Sequence, residues 1–137
     1  MRFNLDNLNP TTRFFFDDDK PDEGWVDIHA APMAVQSDIA NNHSKKRVEF
    51  TMNPKTRRME RIPFVDTDDD AVLEALWDYA ISDWLLLTPT GEPIPCTREN
   101  KIMLMRGDTR FNSFINSCLE KLNALEESDI EEAEKNS

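Results

Sequence analysis

The sequence contains little of the material from which many catalytic and binding sites are built. It has three glycines, two cysteines and two histidines in 137 residues, and its hydrophobic stretches are short. Three isolated glycines cannot form a glycine-rich phosphate-binding loop, and two cysteines cannot form a disulfide framework. No stretch approaches the roughly 20 apolar residues that a membrane-spanning helix needs. These absences exclude a phosphate-binding loop of that kind, a disulfide-stapled domain and a helical membrane span.

Groups for catalysis or metal binding are also sparse. His29 and His43 stand at no metal-ligand spacing from each other or from a cysteine, and no nucleophile motif is present. The acidic clusters 17–19 and 66–70 offer the oxygen ligands that Ca²⁺ and Mg²⁺ prefer. A turn and the N-terminus of a helix explain these clusters equally well. We therefore expect no enzymatic activity, no metal site and no cofactor.

The charge is strongly acidic. The chain carries 27 acidic and 16 basic residues, for a net charge of −11. Its N-terminal residues lack the apolar core of a signal peptide, so we expect a cytoplasmic protein whose cysteines stay reduced. The length predicts a single domain over residues 1–125. Residues 126–137 carry six acids and one aliphatic side chain, which predicts a disordered acidic tail.

The hydrophobic pattern predicts an α+β fold, in which a small antiparallel sheet from the N-terminal half packs on about three helices from the C-terminal half. Alternation over residues 47–52 and a turn at residues 53–56 predict a hairpin that returns through residue 64. An apolar stripe with an acidic first turn predicts an amphipathic helix over residues 68–87, capped by Thr67, as the structural centre. Two further helices are predicted, one capped by Thr97 and one capped by Asp108.

The predicted hairpin concentrates basic charge. Between residues 45 and 61 the chain has seven basic and two acidic side chains, a net charge of +5, which leaves −16 for the remainder. Such a segment suits an acidic partner surface or a phosphate backbone, although charged residues on an edge strand also prevent aggregation. The candidate basic partner site consists of Lys45, Lys46, Arg47, Lys55, Arg57, Arg58 and Arg61.

Two short segments carry more large apolar side chains than one helix face accommodates. If residues 84–86 are helical, they fan across about 200° at ~100° per residue, so one of them should point away from the core. Residues 102–105 present the same problem on the next helix. We therefore predict a hydrophobic groove or oligomer interface near residues 88–96, although burial inside the domain is the alternative. The candidate apolar partner site consists of Trp84, Leu85, Leu86, Ile102, Met103 and Met105.

The same region carries a family resemblance. Residues 84–105 read WLLLTPTGEPIPCTRENKIMLM, in which a Gly-Glu-Pro-Ile-Pro connection precedes a Thr-x-Glu-Asn start to a leucine-rich helix. This segment resembles the tail assembly chaperones of long-tailed bacteriophages. The pattern Phe111-x-x-Phe114-Ile115 is similar to the last helix of that family. The similarity spans residues 76–119, about a third of the chain.

The resemblance implies a non-catalytic protein made in the cytoplasm of the infected host cell. Such chaperones bind the long tape-measure protein, keep its hydrophobic segments soluble and help the tail-tube protein to assemble around it. Related genes often produce a longer form by a −1 frameshift near their ends, and residues 134–136 (Glu-Lys-Asn) can be encoded by a slippery GAA-AAA-AAC. The residues alone leave a second hypothesis open, an acidic regulator that is directed to nucleic acid or mimics DNA. For the chaperone we expect no nucleic-acid partner.

Overall fold

The computed structural model describes residues 3–135, and it describes the side chains of residues 3–124. Within that range the fold is α+β with small antiparallel sheets, as the sequence predicts. The elements are β1 (Thr12–Phe15), β2 (Trp25–Ile28), α1 (Met33–Asn42), β3 (Ser44–Met52), β4 (Met59–Thr67), α2 (Asp69–Ala80), β5 (Ile81–Leu85), α3 (Arg98–Gly107) and α4 (Thr109–Lys135).

The chain, for which the sequence predicts a single domain over residues 1–125, divides into two compact units. Unit 1 comprises Met1–Pro32 and Trp77–Ser137, and unit 2 comprises Met33–Leu76. The boundary falls within α2. The β1–β2–β5 sheet lies in unit 1 and the β3–β4 hairpin in unit 2.

Unit 1 contains the hydrophobic core. One face of the β1–β2–β5 sheet packs on α3 and α4, because β2, β5 and both helices contribute buried apolar side chains to one cluster. That cluster consists of Val26, Ile28, Ile81, Trp84, Met105, Phe111, Ile115 and Cys118. The Trp84 and Phe111 rings meet edge to face, with their centroids 5.9 Å apart. The Trp84 indole N–H also donates to the Ile94 carbonyl at 2.8 Å, which satisfies a polar atom within the core.

A β-bulge explains why part of this core has a helical spacing in the sequence. In the β2–β5 pairing Asp27 lies opposite Asp83, whereas the next residue, Ile28, lies opposite Ile81. Ser82 is therefore an extra residue on β5. The bulge lets Ile81 and Trp84, three positions apart, point into the same core. The predicted helix over residues 68–87 is thus wrong in its last seven residues, and α2 ends at Ala80.

The caps of the last two helices confirm the sequence prediction. The Thr97 side chain accepts a hydrogen bond from Asn100 N at 3.2 Å, and Asp108 accepts one from Phe111 N at 3.0 Å. At α2 the prediction is wrong by one residue. Asp68 caps the helix by accepting from Ala71 N at 3.1 Å, while Thr67 is the last residue of β4. Thr67 is still paired with Ser44 in the hairpin, and its hydroxyl hydrogen-bonds with that of Ser44 at 2.9 Å, so the first residue after the strand caps the helix instead.

The helix α4 continues through Lys135. Its backbone is therefore helical over most of the segment for which composition predicts disorder. Glutamate, alanine and lysine are strong helix formers, and they dominate residues 126–135. Residues 136 and 137 of the predicted tail lie outside the described residues, and residue 136 is also the last residue of the predicted frameshift segment.

Unit 2 has no core of its own. None of its residues is buried, and the exposed strands β3 and β4 make up much of it. Ala80 is the one buried residue of α2, and it belongs to unit 1. Leu76, which the sequence places at the structural centre, is half-buried and lies outside the core cluster. The buried core of unit 1 is formed by β2, β5, α3 and α4.

Candidate partner-binding surface

The structure places two of the six predicted apolar partner residues inside the core. Trp84 and Met105 are 5% and 3% exposed, and both belong to the core cluster of unit 1. The correction follows from the bulged strand β5, which directs Trp84 inward instead of fanning it across a helix. These two side chains are unavailable to a partner in the folded protein.

The other four predicted apolar residues are dispersed. Leu86 is half-buried against the core, and Leu85 and Ile102 are also half-buried, whereas Met103 is 67% exposed. The connection predicted to border a groove folds back on unit 1 instead. Ile94 N donates to the Leu86 carbonyl at 2.8 Å, and the side chain of Ile94 packs against the core. Met103 thus stands as one exposed apolar residue, which is ordinary on a protein surface.

The predicted basic hairpin is present and longer than expected. β3 and β4 pair antiparallel over nine residues each, from Ser44 opposite Thr67 to Met52 opposite Met59. Directly opposed residues of an antiparallel pair point to the same side of the sheet. The register therefore sorts every side chain of the hairpin onto one of two faces.

One face is apolar and exposed. This apolar face comprises Val48, Phe50, Met52, Met59, Pro63 and Val65. Phe50 and Val65 are each 64% exposed, and Met52 is 63% exposed. Large apolar side chains gathered on one exposed face mark sites of interaction with other molecules. The alternation of residues 47–52 predicts that Val48, Phe50 and Met52 share one face of the hairpin. It does not predict their exposure, because alternation alone does not show whether another layer covers that face.

The apolar face also carries uncompensated positive charge. Lys46 and Arg61 share this face, and Lys55, Arg57 and Arg58 lie at the adjoining turn. Among the residues whose side chains are described, no carboxylate forms an ion pair with any of these five. The acidic side chains of the hairpin, Glu49, Glu60 and Asp66, all lie on the opposite face.

The opposite face carries three acidic side chains against two basic ones, so its positive charge is compensated. Arg47 forms ion pairs with Glu49 and with Asp66, the latter at 2.6 Å. Its guanidinium also lies 4.7 Å from the centre of the Phe64 ring, at a distance typical of a cation–π contact. Two of the seven predicted basic residues, Arg47 and Lys45, therefore lie beside carboxylates on the opposite face. The hairpin presents its free positive charge beside its exposed apolar side chains.

The described residues contain no cluster that suggests other chemistry. In residues 3–124, no three His, Cys, Asp or Glu side chains are grouped to hold a metal ion. His29 stacks on Tyr79, and its Nε2 lies 2.5 Å from the Tyr79 carbonyl oxygen. Burial raises the pKa of the Cys96 thiol, and it raises the pKa of Cys118 to about 11. Raised pKa values make both cysteines weak nucleophiles.

Over the part of the chain that is described, no helix has the length and apolarity to cross a membrane. A scan against protein-family models found no match, and searches of the curated proteins and of the solved structures also found none. The geometry of the hairpin is therefore the main observation that bears on function.

Proposed function

We propose that this protein is an assembly chaperone that holds an apolar segment of a client protein on the apolar face of its β3–β4 hairpin. The observation that carries the proposal is the exposure of Phe50, Met52 and Val65 on one face, beside basic side chains that form no ion pair with any side chain of residues 3–124. A client with apolar residues flanked by acidic ones fits this surface in both respects.

The physical basis is burial combined with charge complementarity. Apolar surface removed from water contributes roughly 25 cal/mol per Å², and a bound client would cover side chains that no other part of unit 2 buries. Met52 and Met59 are flexible and polarisable, so they adapt to clients of different shape. Lys46 and Arg61 would favour acidic residues next to the client's apolar stretch. The net charge of −16 outside residues 45–61 would keep the complex soluble.

The resemblance of residues 84–105 to phage tail assembly chaperones suggests the identity of the client. In this proposal it is the tape-measure protein of a long-tailed bacteriophage, and binding takes place in the cytoplasm of the infected cell while the tail-tube protein assembles around it. The chemistry is non-covalent, so the function requires neither a cofactor nor catalysis. The exposed apolar face supports the holding activity, and the sequence resemblance supports the choice of client.

The test is co-expression of this protein with the tape-measure protein encoded in the same genome. We expect the tape-measure protein to remain soluble with the native chaperone and to precipitate with the double variant Phe50→Gln/Met52→Gln. Alanine-scanning experience indicates that the loss of one central apolar anchor costs more than about 1 kcal/mol of binding free energy. The readout is the soluble fraction of the tape-measure protein after centrifugation.

Two single substitutions serve as matched controls. Thr51→Gln introduces the same side chain on the same strand but on the opposite face, and Met103→Gln alters the exposed residue of the apolar site predicted from sequence. Both variants should keep the client soluble. If the double variant keeps it soluble, the apolar face is not the binding surface. If the native protein fails to do so, the tape-measure protein is not the client.

A further inference from the structure

The hydrogen-bond pattern of the hairpin determines which backbone groups point outward. Asn53 N donates to the Arg58 carbonyl at 2.9 Å, so this pair belongs to the hydrogen-bonded kind. Such pairs alternate with non-hydrogen-bonded pairs along an antiparallel ladder. Counting from Asn53 along the register, Val48 and Pro63 form a non-hydrogen-bonded pair. The N–H and C=O groups of Val48 therefore point away from β4, toward the outer edge of β3.

The two outer edges of the hairpin differ. On β3 the residues with outward backbone groups are Ser44, Lys46, Val48, Phe50 and Met52, each of which has an N–H. In the described range 3–135, no backbone hydrogen bond joins these outward groups to another segment. On β4 the equivalent central position is Pro63, which has no N–H. The row of outward N–H donors along β3 is thus complete, whereas the equivalent row along β4 is interrupted at Pro63.

The sequence of β3 is complementary to itself when two copies run antiparallel. With the two-fold axis at Val48, all nine residues overlap and every outward residue meets an outward residue. Arg47 of each copy then lies opposite Glu49 of the other, and Lys46 lies opposite Phe50. This register contains no directly opposed like charges, and it contains two opposed pairs of opposite charge. Opposed pairs of this kind stabilise antiparallel sheets.

The neighbouring registers are less favourable. Moving the axis by one residue toward the N-terminus sets Arg47 opposite Arg47, and moving it by one residue toward the C-terminus sets Glu49 opposite Glu49. Like charges directly opposite one another destabilise a strand pair. The charge pattern of residues 45–49 (Lys-Lys-Arg-Val-Glu) therefore selects the axis at Val48.

We propose that β3 pairs with β3 of a second copy of this chain about a two-fold axis at Val48, forming a four-stranded sheet in the order β4–β3–β3–β4. The contact is isologous, because each copy supplies the same strand. Opposed residues point to the same side, so the apolar faces of the two hairpins join into one surface. The inference goes beyond the client proposed above and does not depend on it.

The experiment measures the mass of the native protein and of two charge variants by sedimentation at 150 mM salt. The native protein should be dimeric. Arg47→Glu sets Glu opposite Glu, and Glu49→Arg sets Arg opposite Arg, so each variant alone should dimerise at least about tenfold more weakly. An equimolar mixture of the two variants restores both opposite-charge pairs and should form a heterodimer. Recovery on mixing also shows that both variants are folded.

A backbone variant and a control complete the design. Val48→Pro removes the outward N–H at the axis but no hydrogen bond within the hairpin, since Val48 and Pro63 form a non-hydrogen-bonded pair. It should be monomeric with an unchanged circular dichroism spectrum. Glu60→Arg makes the same charge change on β4 and should remain dimeric.

A native protein that is monomeric at concentrations of about 100 μM would overturn the proposal. So would charge variants that remain dimeric when alone, a mixture of folded variants that does not associate, or a dimer that survives Val48→Pro. Client solubilisation is measured separately with Phe50→Gln/Met52→Gln. The dimerisation result can therefore be interpreted even if the client proposal fails.

Discussion

The thiol of Cys118 illustrates how a single buried residue makes stability depend on pH. Cys118 lies on α4 within the core cluster and is 1% exposed. Burial raises the pKa of its thiol from the ordinary value of 9.0 to about 11, because the charged thiolate would be desolvated. The native state therefore holds this proton more tightly than the unfolded chain does. The resulting stabilisation is complete below pH 9 and is lost as the pH rises toward 11.

We expect the free energy of unfolding of the native protein to fall between pH 8 and pH 10.5 by about 2 kcal/mol more than that of Cys118→Ala. This magnitude follows from 1.36 kcal/mol per pKa unit over the interval in which only the unfolded chain ionises. Urea unfolding of both proteins at the two pH values measures the difference. Equal losses in the two proteins would contradict the assignment of Cys118 to a dry core.

The same element packs the centre of unit 1 through side chains one turn apart. Phe111, Ile115 and Cys118 form the buried face of α4, and Ile115 is fully buried. Ile115→Ala should lower the free energy of unfolding by about 2–5 kcal/mol, since it removes transfer energy and leaves a cavity. Leu73→Ala, on the exposed side of α2, should cost less than about 1 kcal/mol. Equal effects of the two substitutions in chemical denaturation would place the core elsewhere.

The sequence was informative where local chemistry decides the structure. The caps at Thr97 and Asp108 and the turn of the hairpin at Asn53 depend on side chains that bond to nearby backbone groups. The periodicity of α4 was also readable, because one face of that helix meets one core. These features need no knowledge of distant contacts.

Residues 81–85 were not predictable from local pattern. Ile81 and Trp84 are three residues apart, a spacing that also occurs along one face of a helix. A bulge at Ser82 and the partner strand β2, 55 residues away, produce the same spacing in a strand. Only the tertiary pairing distinguishes the two, and the apolar partner site built on a helical fan was misplaced for that reason. The exposure of the hairpin's apolar face was not predictable either, because the same alternation is typical of a strand whose apolar face is buried.

Across the whole chain, the apolar side chains are divided unequally between the two units. Unit 1 holds the buried apolar cluster, although it also exposes side chains such as Met103, whereas unit 2 buries no residue and leaves Phe50, Met52 and Val65 exposed on one face. A segment without a core gains stability from whatever binds it. The charge division runs along similar lines, with +5 on residues 45–61 and −16 on the rest. These two asymmetries, seen together, direct a functional interpretation to the hairpin instead of the helices.

The interruption of one hairpin edge by Pro63 has a consequence for growth. In the language of polymer chemistry, the hairpin is a monofunctional monomer, because it offers one reactive end, and monofunctional units stop at a pair. Pro63→Thr would restore the missing donor and make the monomer bifunctional, so pairs could add end to end. Incubated at high concentration, Pro63→Thr should form elongated particles visible by electron microscopy, and the native protein should not. A Pro63→Thr variant that remains at the native size would show that something other than this proline prevents further strand pairing.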